Sequence, residues 1–161
     1  MDNFVKKVNN FHIKISAVFL VIFLVAVITQ VVTRILGIAM VWTQDVAMYS
    51  FIWSVFMGGT AMVYPEKHFA FTSLIDKTKN EKVKTVLHLI IVLCMLFFMV
   101  IMFYYGVIIT KRFWNYKWVN LPQLKRGWTW ICLPISASFG CFYLIDKTIK
   151  DVHTLVFGGN K

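Results

Sequence analysis

Residues able to do chemistry are few in this chain and poorly spaced for it. Cys94, Cys132 and Cys141 form no C-x-x-C pair, whereas a quinone-linked thiol–disulfide enzyme needs exposed, paired cysteines. They read as small packing residues. His12, His68, His88 and His153 are scattered, with only His88 inside a long uncharged stretch, and a membrane haem protein needs axial histidines paired deep in facing helices. Proton or ion coupling within a bilayer ordinarily uses an intramembrane carboxylate or basic group. None is present away from the ends of the apolar stretches. Nor is there a phosphate-binding glycine loop, a metal-ligand cluster or a nucleophile elbow. The expectation is a chain that is not an enzyme, with no catalytic residue, metal or cofactor of its own.

The elements that would position such residues are membrane spans. Ile15–Thr33, Val46–Pro65, Thr85–Thr110 and Gly127–Ile145 contain no Asp, Glu, Lys or Arg and run 19, 20, 26 and 19 residues. A helix rising about 1.5 Å per residue needs roughly 20 residues to cross a hydrocarbon core of about 30 Å. Backbone groups at that depth must be paired within their own segment, so helices are predicted rather than strands. With 59% hydrophobic residues and a mean hydropathy of +0.70, the chain reads as an all-α membrane protein. It is expected to be one membrane domain over residues 1–161, with four transmembrane helices over about 15–33, 46–65, 85–110 and 127–145. Short amphipathic interfacial helices are expected between and beside them. The first stretch follows Lys6, Lys7 and Lys14 but reaches Gln30 without a small-residue cleavage site, so a retained helix is expected rather than a secretion signal.

The formal net charge of +10 is distributed over span ends, where topology and anionic headgroups account for it without nucleic acid. Four crossings put the N-terminus, the second loop and the C-terminus on one face, with 11 basic residues against 6 on the other. The positive-inside rule then predicts cytoplasmic termini. Against that balance, the third loop carries Lys111, Arg112, Lys117, Lys125 and Arg126 with no acidic residue among them. Phe4, Val5, Val8, Phe11, His12 and Ile15 recur at helical spacing, which predicts an interfacial helix or a direct extension of the first span. Phe71, Leu74, Ile75 and Thr78 repeat the pattern more weakly, as do Ile149, Val152 and Val156.

Within the spans the pattern concerns packing. Ala47, Ser50, Ser54, Gly58 and Ala61 share one face of the second helix, and Cys132, Ser136 and Gly140 share one face of the fourth, where Pro134 is expected to introduce a kink. Small residues let helix backbones approach where lipid supplies no hydrophobic drive. Two alternatives stand for these stripes: internal packing, or packing on a larger partner subunit, to which Ala47, Ser50, Ser54, Gly58, Ala61, Ser136 and Gly140 are assigned. At the entry to the second span, Trp42 suits an interfacial aromatic, Thr43 is expected to cap the helix, and Asp45 complements the helix dipole. An Arg34–Asp45 ion pair across the first loop is expected as a structural clamp.

The residues Gln30-Val31-Val32-Thr33-Arg34, Trp42-Thr43-Gln44-Asp45, Tyr49, Trp53, Phe56-Met57-Gly58-Gly59, Ala61 and His68 resemble the signature of the DctQ-type small membrane subunit of tripartite ATP-independent periplasmic (TRAP) transporters. The resemblance covers nearly the whole chain, and its motif positions are Arg34, Trp42, Asp45, Tyr49, Trp53, Gly58 and His68. It implies an auxiliary subunit of the bacterial inner membrane whose partners are a large transmembrane subunit, a periplasmic substrate-binding protein and phospholipids. It further implies sodium-coupled uptake of organic acids such as C4-dicarboxylates or sialic acids, with the sodium and substrate sites on the large subunit. For Lys111, Arg112, Lys117, Lys125 and Arg126 it leaves two roles, docking the binding protein or holding lipid headgroups. A small membrane redox or electron-transfer subunit, or a stand-alone four-helix carrier, are the alternatives.

Overall fold

The computed structural model describes residues 2–64 and 81–157. These form α1 (Asp2–Ile35), α2 (Trp42–Ala61), α3 (Glu81–Phe113), the single turn α4 (Gly127–Trp130) and α5 (Cys132–Phe157). An isolated antiparallel bridge between Lys117 and Lys125 is the one β-type pairing among the described residues. The chain is all-helical, as its charge-free stretches predict.

Helix lengths follow from what stops each helix. α1 runs through the expected interfacial segment and the first span without a break, so the N-terminal amphipathic stretch is an extension of the span and not a separate element. It ends where Gly37 takes a φ of +71°. The Ile38 N–H reaches the Thr33 carbonyl at 2.9 Å and the Gly37 N–H reaches Arg34 at 3.2 Å, the paired bonds of a Schellman cap that only glycine enters without strain. α5 likewise continues past the expected end of the fourth span to Phe157, absorbing Ile149 and Val152. Pro134 lies in the first turn of α5, where a missing N–H leaves no helical bond unmade. It marks the junction with α4 instead of kinking a longer helix. The weak stripe Phe71–Thr78 lies outside the described residues.

Among the described residues three helices are long and apolar enough to cross a bilayer: Val5–Ile35, Val83–Phe113 and Gly127–Ile149. The expectation of four such spans is therefore met for three. α2 has 20 residues, but Thr43, Gln44, Asp45, Ser50, Ser54 and Thr60 lower its hydropathy. It also starts four residues before the expected Val46, because Asp45 finds a partner and Thr43 is fully buried. Its hydroxylated residues Thr43, Ser50, Ser54 and Thr60 lie on the buried face, while apolar Met48, Phe51 and Val55 are exposed.

α1 packs along α2, α2 packs on α5, and α5 packs on α3, so α1 and α3 flank a central pair. Only 6% and 11% of the most apolar windows of α1 and α3 are buried, against 50% for α4–α5. At the end bearing the N-terminus, Val5, Val63, Val92, Met99, Tyr143 and Leu144 form the core. Beside them the buried His12 ring shares a 3.0 Å hydrogen bond with the Tyr143 hydroxyl and meets the edge of Phe139 at 4.3 Å. Val5, Asn9 and His12 are the buried positions of this part of α1, while Phe11 is 62% exposed. The inward face thus keeps Val5 and His12 of the expected stripe but takes in polar Asn9 and leaves Phe11 outside.

The small-residue stripe of α2 faces inward. Ala47, Ser50, Ser54 and Ala61 are each less than 9% exposed. The Ser16 hydroxyl donates to the Ser54 carbonyl at 2.9 Å, and the Ser54 hydroxyl donates back to the Ser16 carbonyl at 3.1 Å. A Cβ added at Gly58 stands 2.6 Å from Ser16 Oγ. On α5, Ser136 is buried and a Cβ at Gly140 stands 2.8 Å from Met99 Sδ. In the chain by itself Ala47, Ser50, Ser54, Gly58, Ala61, Ser136 and Gly140 pack on its own helices, the first of the two alternatives for these stripes. Small side chains permit close approach wherever two backbones come closest, and here those are the chain's own.

Gly58→Leu is expected to destabilise the isolated protein by about 1–3 kcal/mol through overpacking and displacement of the Ser16 hydroxyl, while Val55→Leu on the exposed face leaves stability unchanged. Unfolding in mixed detergent micelles measures both.

Candidate functional site

Of the described motif residues, Arg34, Trp42, Asp45, Tyr49 and Trp53 lie toward the opposite end of the bundle, where α1 turns into α2 and the connection from α3 to α4 folds back. Tyr49 and Trp53 lie one turn apart on α2 and enclose Phe19 of α1. The Phe19 and Trp53 rings stack at 5.2 Å with 27° between planes, and Tyr49 lies 6.1 Å from Phe19. Offset aromatic stacking of this kind adds to area burial. The Trp53 indole N–H donates to the Trp128 carbonyl at 3.0 Å, which ties α2 to α4.

One turn earlier, Asp45 Oδ2 accepts the backbone N–H of Asn120 at 3.1 Å. The acid of the motif therefore holds the third loop, and no Arg34–Asp45 ion pair forms among the described residues. Arg34 is exposed and lines a groove of about 330 Å³ with Gln30, Thr33 and Gly37. Thr43 does not cap α2. The N-cap is Val41 without a side-chain bond, and the Thr43 hydroxyl donates back to the Met40 carbonyl at 2.6 Å. Trp42 is 44% exposed, in keeping with an interfacial aromatic. His68 lies outside the described residues.

The third loop is an ordered hairpin. The Trp118 N–H reaches Leu124 at 3.3 Å and the Arg126 N–H reaches Tyr116 at 2.7 Å, while the Arg126 guanidinium covers the Trp118 ring at 5.3 Å. Trp114 packs on Trp128 at 6.1 Å and so close over Gly127 that a Cβ there would stand 2.6 Å from the indole. Lys111, Arg112, Lys117 and Lys125 remain exposed around this frame. Between loop and helices is an apolar cleft of about 220 Å³, walled by Phe19, Ile22, Tyr49, Trp118 and Leu124 and reaching Asp45 and Ser50.

None of this assembles a reaction centre. Cys132 is buried, Cys141 half-buried and Cys94 exposed, all as free thiols, and no group of three metal-ligating side chains occurs among the described residues. His12 and Asn120 were not legible as partners. His12 belongs to the buried series Val5, Asn9 and His12 at spacings of four and three, of which polar Asn9 is the member that the expected stripe omits. The bond to Asn120 uses the loop backbone, which side-chain patterns do not report.

The fold is that of a multi-pass helical membrane protein whose polar side chains fasten its own helices. Residues 15–154 match the family described as tripartite ATP-independent periplasmic transporters, DctQ component. The chain belongs to that family and is the small membrane component of such a transporter, a transport protein of the inner membrane and not a member of an enzyme family. Membership implies association with a large membrane subunit and a periplasmic binding protein. A search of curated proteins finds no match.

Asp45→Ala is expected to release the third loop. A part-buried bond to a charged acceptor contributes enough that the Asn120 amide should exchange with solvent about tenfold faster. Hydrogen exchange measured in detergent reads this directly, and an unchanged rate would remove Asp45 from that role.

Proposed function

We propose that this chain is the static scaffold subunit of a sodium-coupled, binding-protein-dependent transporter for organic acids such as C4-dicarboxylates or sialic acids. In this reading α2 crosses the membrane with the other three long helices, and both termini lie in the cytoplasm. The observation that carries it is the contrast between the flanks and the middle. α1 and α3 expose long apolar surfaces, with Val21, Val25 and Ile28 on one and Phe97, Phe98 and Ile101 on the other. The small and hydroxylated residues Ala47, Ser50, Ser54 and Ser136 are buried inside. A body of this kind offers lateral helix surface to a larger subunit and no ion path of its own.

The same topology turns the third loop to the periplasm. Lys117 and Lys125 flank its hairpin as exposed cations, and complementary charge accelerates encounter with an acidic surface on the binding protein. Asp45 and the Arg126–Trp118 contact hold the hairpin in one shape for that encounter.

Reconstitution in liposomes tests both parts. Uptake driven by a sodium gradient should require the small subunit, the large subunit and the binding protein together, and the small subunit alone should give none. Replacing Lys117 and Lys125 by Glu should raise the binding-protein concentration for half-maximal uptake severalfold, with the difference shrinking at high salt. Uptake by the small subunit alone would refute the scaffold role, and an unchanged requirement in the double variant would refute the docking role.

A further inference from the structure

A third cavity, of about 420 Å³, lies beside the last turn of α3 and is lined by Val107, Thr110, Lys111, Trp114, Asn115 and Pro134. Its volume falls within the range of small-molecule sites, roughly 300–1,000 Å³. We propose that it binds an anionic phospholipid, with the phosphate at Lys111 and Asn115 and the upper acyl chain along Val107 and Pro134.

The depth is set by sequence. Lys111 is the first charged residue after the uncharged run Thr85–Thr110, so its ammonium stands at the boundary between hydrocarbon and headgroups. A lysine in the last turn of a helix already complements the dipole, and that alone would make no site. What goes further is the shaped space beside it. At Gly106 a Cβ would lie 3.1 Å from both Leu133 and Pro134, so α3 and α5 pinch together there and the groove opens immediately beyond. The Thr110 hydroxyl is engaged with the Gly106 carbonyl at 2.7 Å, and the proline nitrogen of Pro134 carries no hydrogen. The inner wall therefore presents little that is polar. The rim presents Lys111, Trp114 and Asn115, which all carry N–H donors. Trp114 is held against Gly127 and Trp128, so this wall is formed before any ligand arrives.

Charge selects the occupant. From Lys111 to Arg126 there are five cations and no carboxylate, and Asp45, the acid that reaches this loop, accepts a hydrogen bond from Asn120. A net negative headgroup gains there, whereas a zwitterionic one brings its own cation into a basic field. The site is separate from the docking hairpin, because Lys111 lies on α3 at the span end while Lys117 and Lys125 pair across the loop. It needs only a membrane and does not depend on the transport role.

Native mass spectrometry of the full-length protein, titrated separately with phosphatidylglycerol and phosphatidylcholine in detergent, tests the proposal. Phosphatidylglycerol should bind more tightly. Lys111→Gln should weaken phosphatidylglycerol binding about fivefold, as expected for one cation near an anionic surface, and leave phosphatidylcholine unchanged. Inorganic phosphate at millimolar concentration should not displace the lipid, since it lacks the acyl chain that the groove holds. Val107→Phe, with helicity verified by circular dichroism, should weaken phosphatidylglycerol binding by filling the groove. Equal affinity for the two lipids, indifference to Lys111→Gln, or displacement by phosphate would each overturn it. Lys111 is exposed, so its replacement reports on binding even if the Val107 variant does not fold.

Discussion

Two serines exchanging hydroxyl–carbonyl hydrogen bonds, Ser16 on α1 and Ser54 on α2, set the separation on which the bundle depends. Lipid tails are as apolar as leucine, so nothing resembling the hydrophobic effect drives these helices together. Association rests on dispersion at close range and on polar bonds that lack a competing water. Gly58 makes the approach sterically open one turn further along α2, and the approach makes the bonds short enough to form. On the other side of the chain Gly106 against Leu133 and Pro134, and Gly140 against Met99, serve α3 and α5 in the same way. In these contacts dispersion between closely packed atoms does what water does for a soluble core.

That constraint explains why the motif is scattered along the chain. Arg34 to Gly58 spans the turn between α1 and α2 and most of α2, and its described inner members have fastening roles. Asp45 holds Asn120, Trp53 holds Trp128, Tyr49 and Trp53 enclose Phe19, and Gly58 admits Ser16. Tyr49, Trp53 and Gly58 join α1 to α2, Trp53 also joins α4, and Asp45 joins the third loop. α1 and α5 pack against the face of α2 that carries Thr43, Ser50, Ser54 and Thr60. The chemistry of the motif is structural, in agreement with a family whose members are transporter components.

Much of this was legible from the sequence. The absence of charge from four stretches gave the helical class and the third and fourth helices to within a few residues at most ends. The scattered motif gave the family. Three things were not fully legible, for one physical reason: they depend on which neighbour a residue meets. The outward or inward sense of the α2 stripe cannot be deduced from small residues, which pack equally well on either side. The α1 face that turns inward was legible only in part: Val5 and His12 lie on the expected stripe, but polar Asn9 is buried beside them and the partner of His12 is Tyr143, 131 residues away. Asp45 suggested an ion pair with the nearest cation, but an exposed arginine offers less than a loop N–H already held in place by the hairpin. Gly37 was readable in principle, as a glycine just beyond a helical run.

The central claim is that the small-residue stripes close this chain upon itself and leave the flanks of α1 and α3 for the large subunit. Site-specific photocross-linking in the assembled transporter tests it most directly, with the cross-linker placed in turn at Val21, Val25, Phe97, Ile101, Ser50 and Ser54. The account predicts products with the large subunit from flank positions on α1 or α3 and none from Ser50 or Ser54. Products from the two serines, with none from either flank, would contradict it.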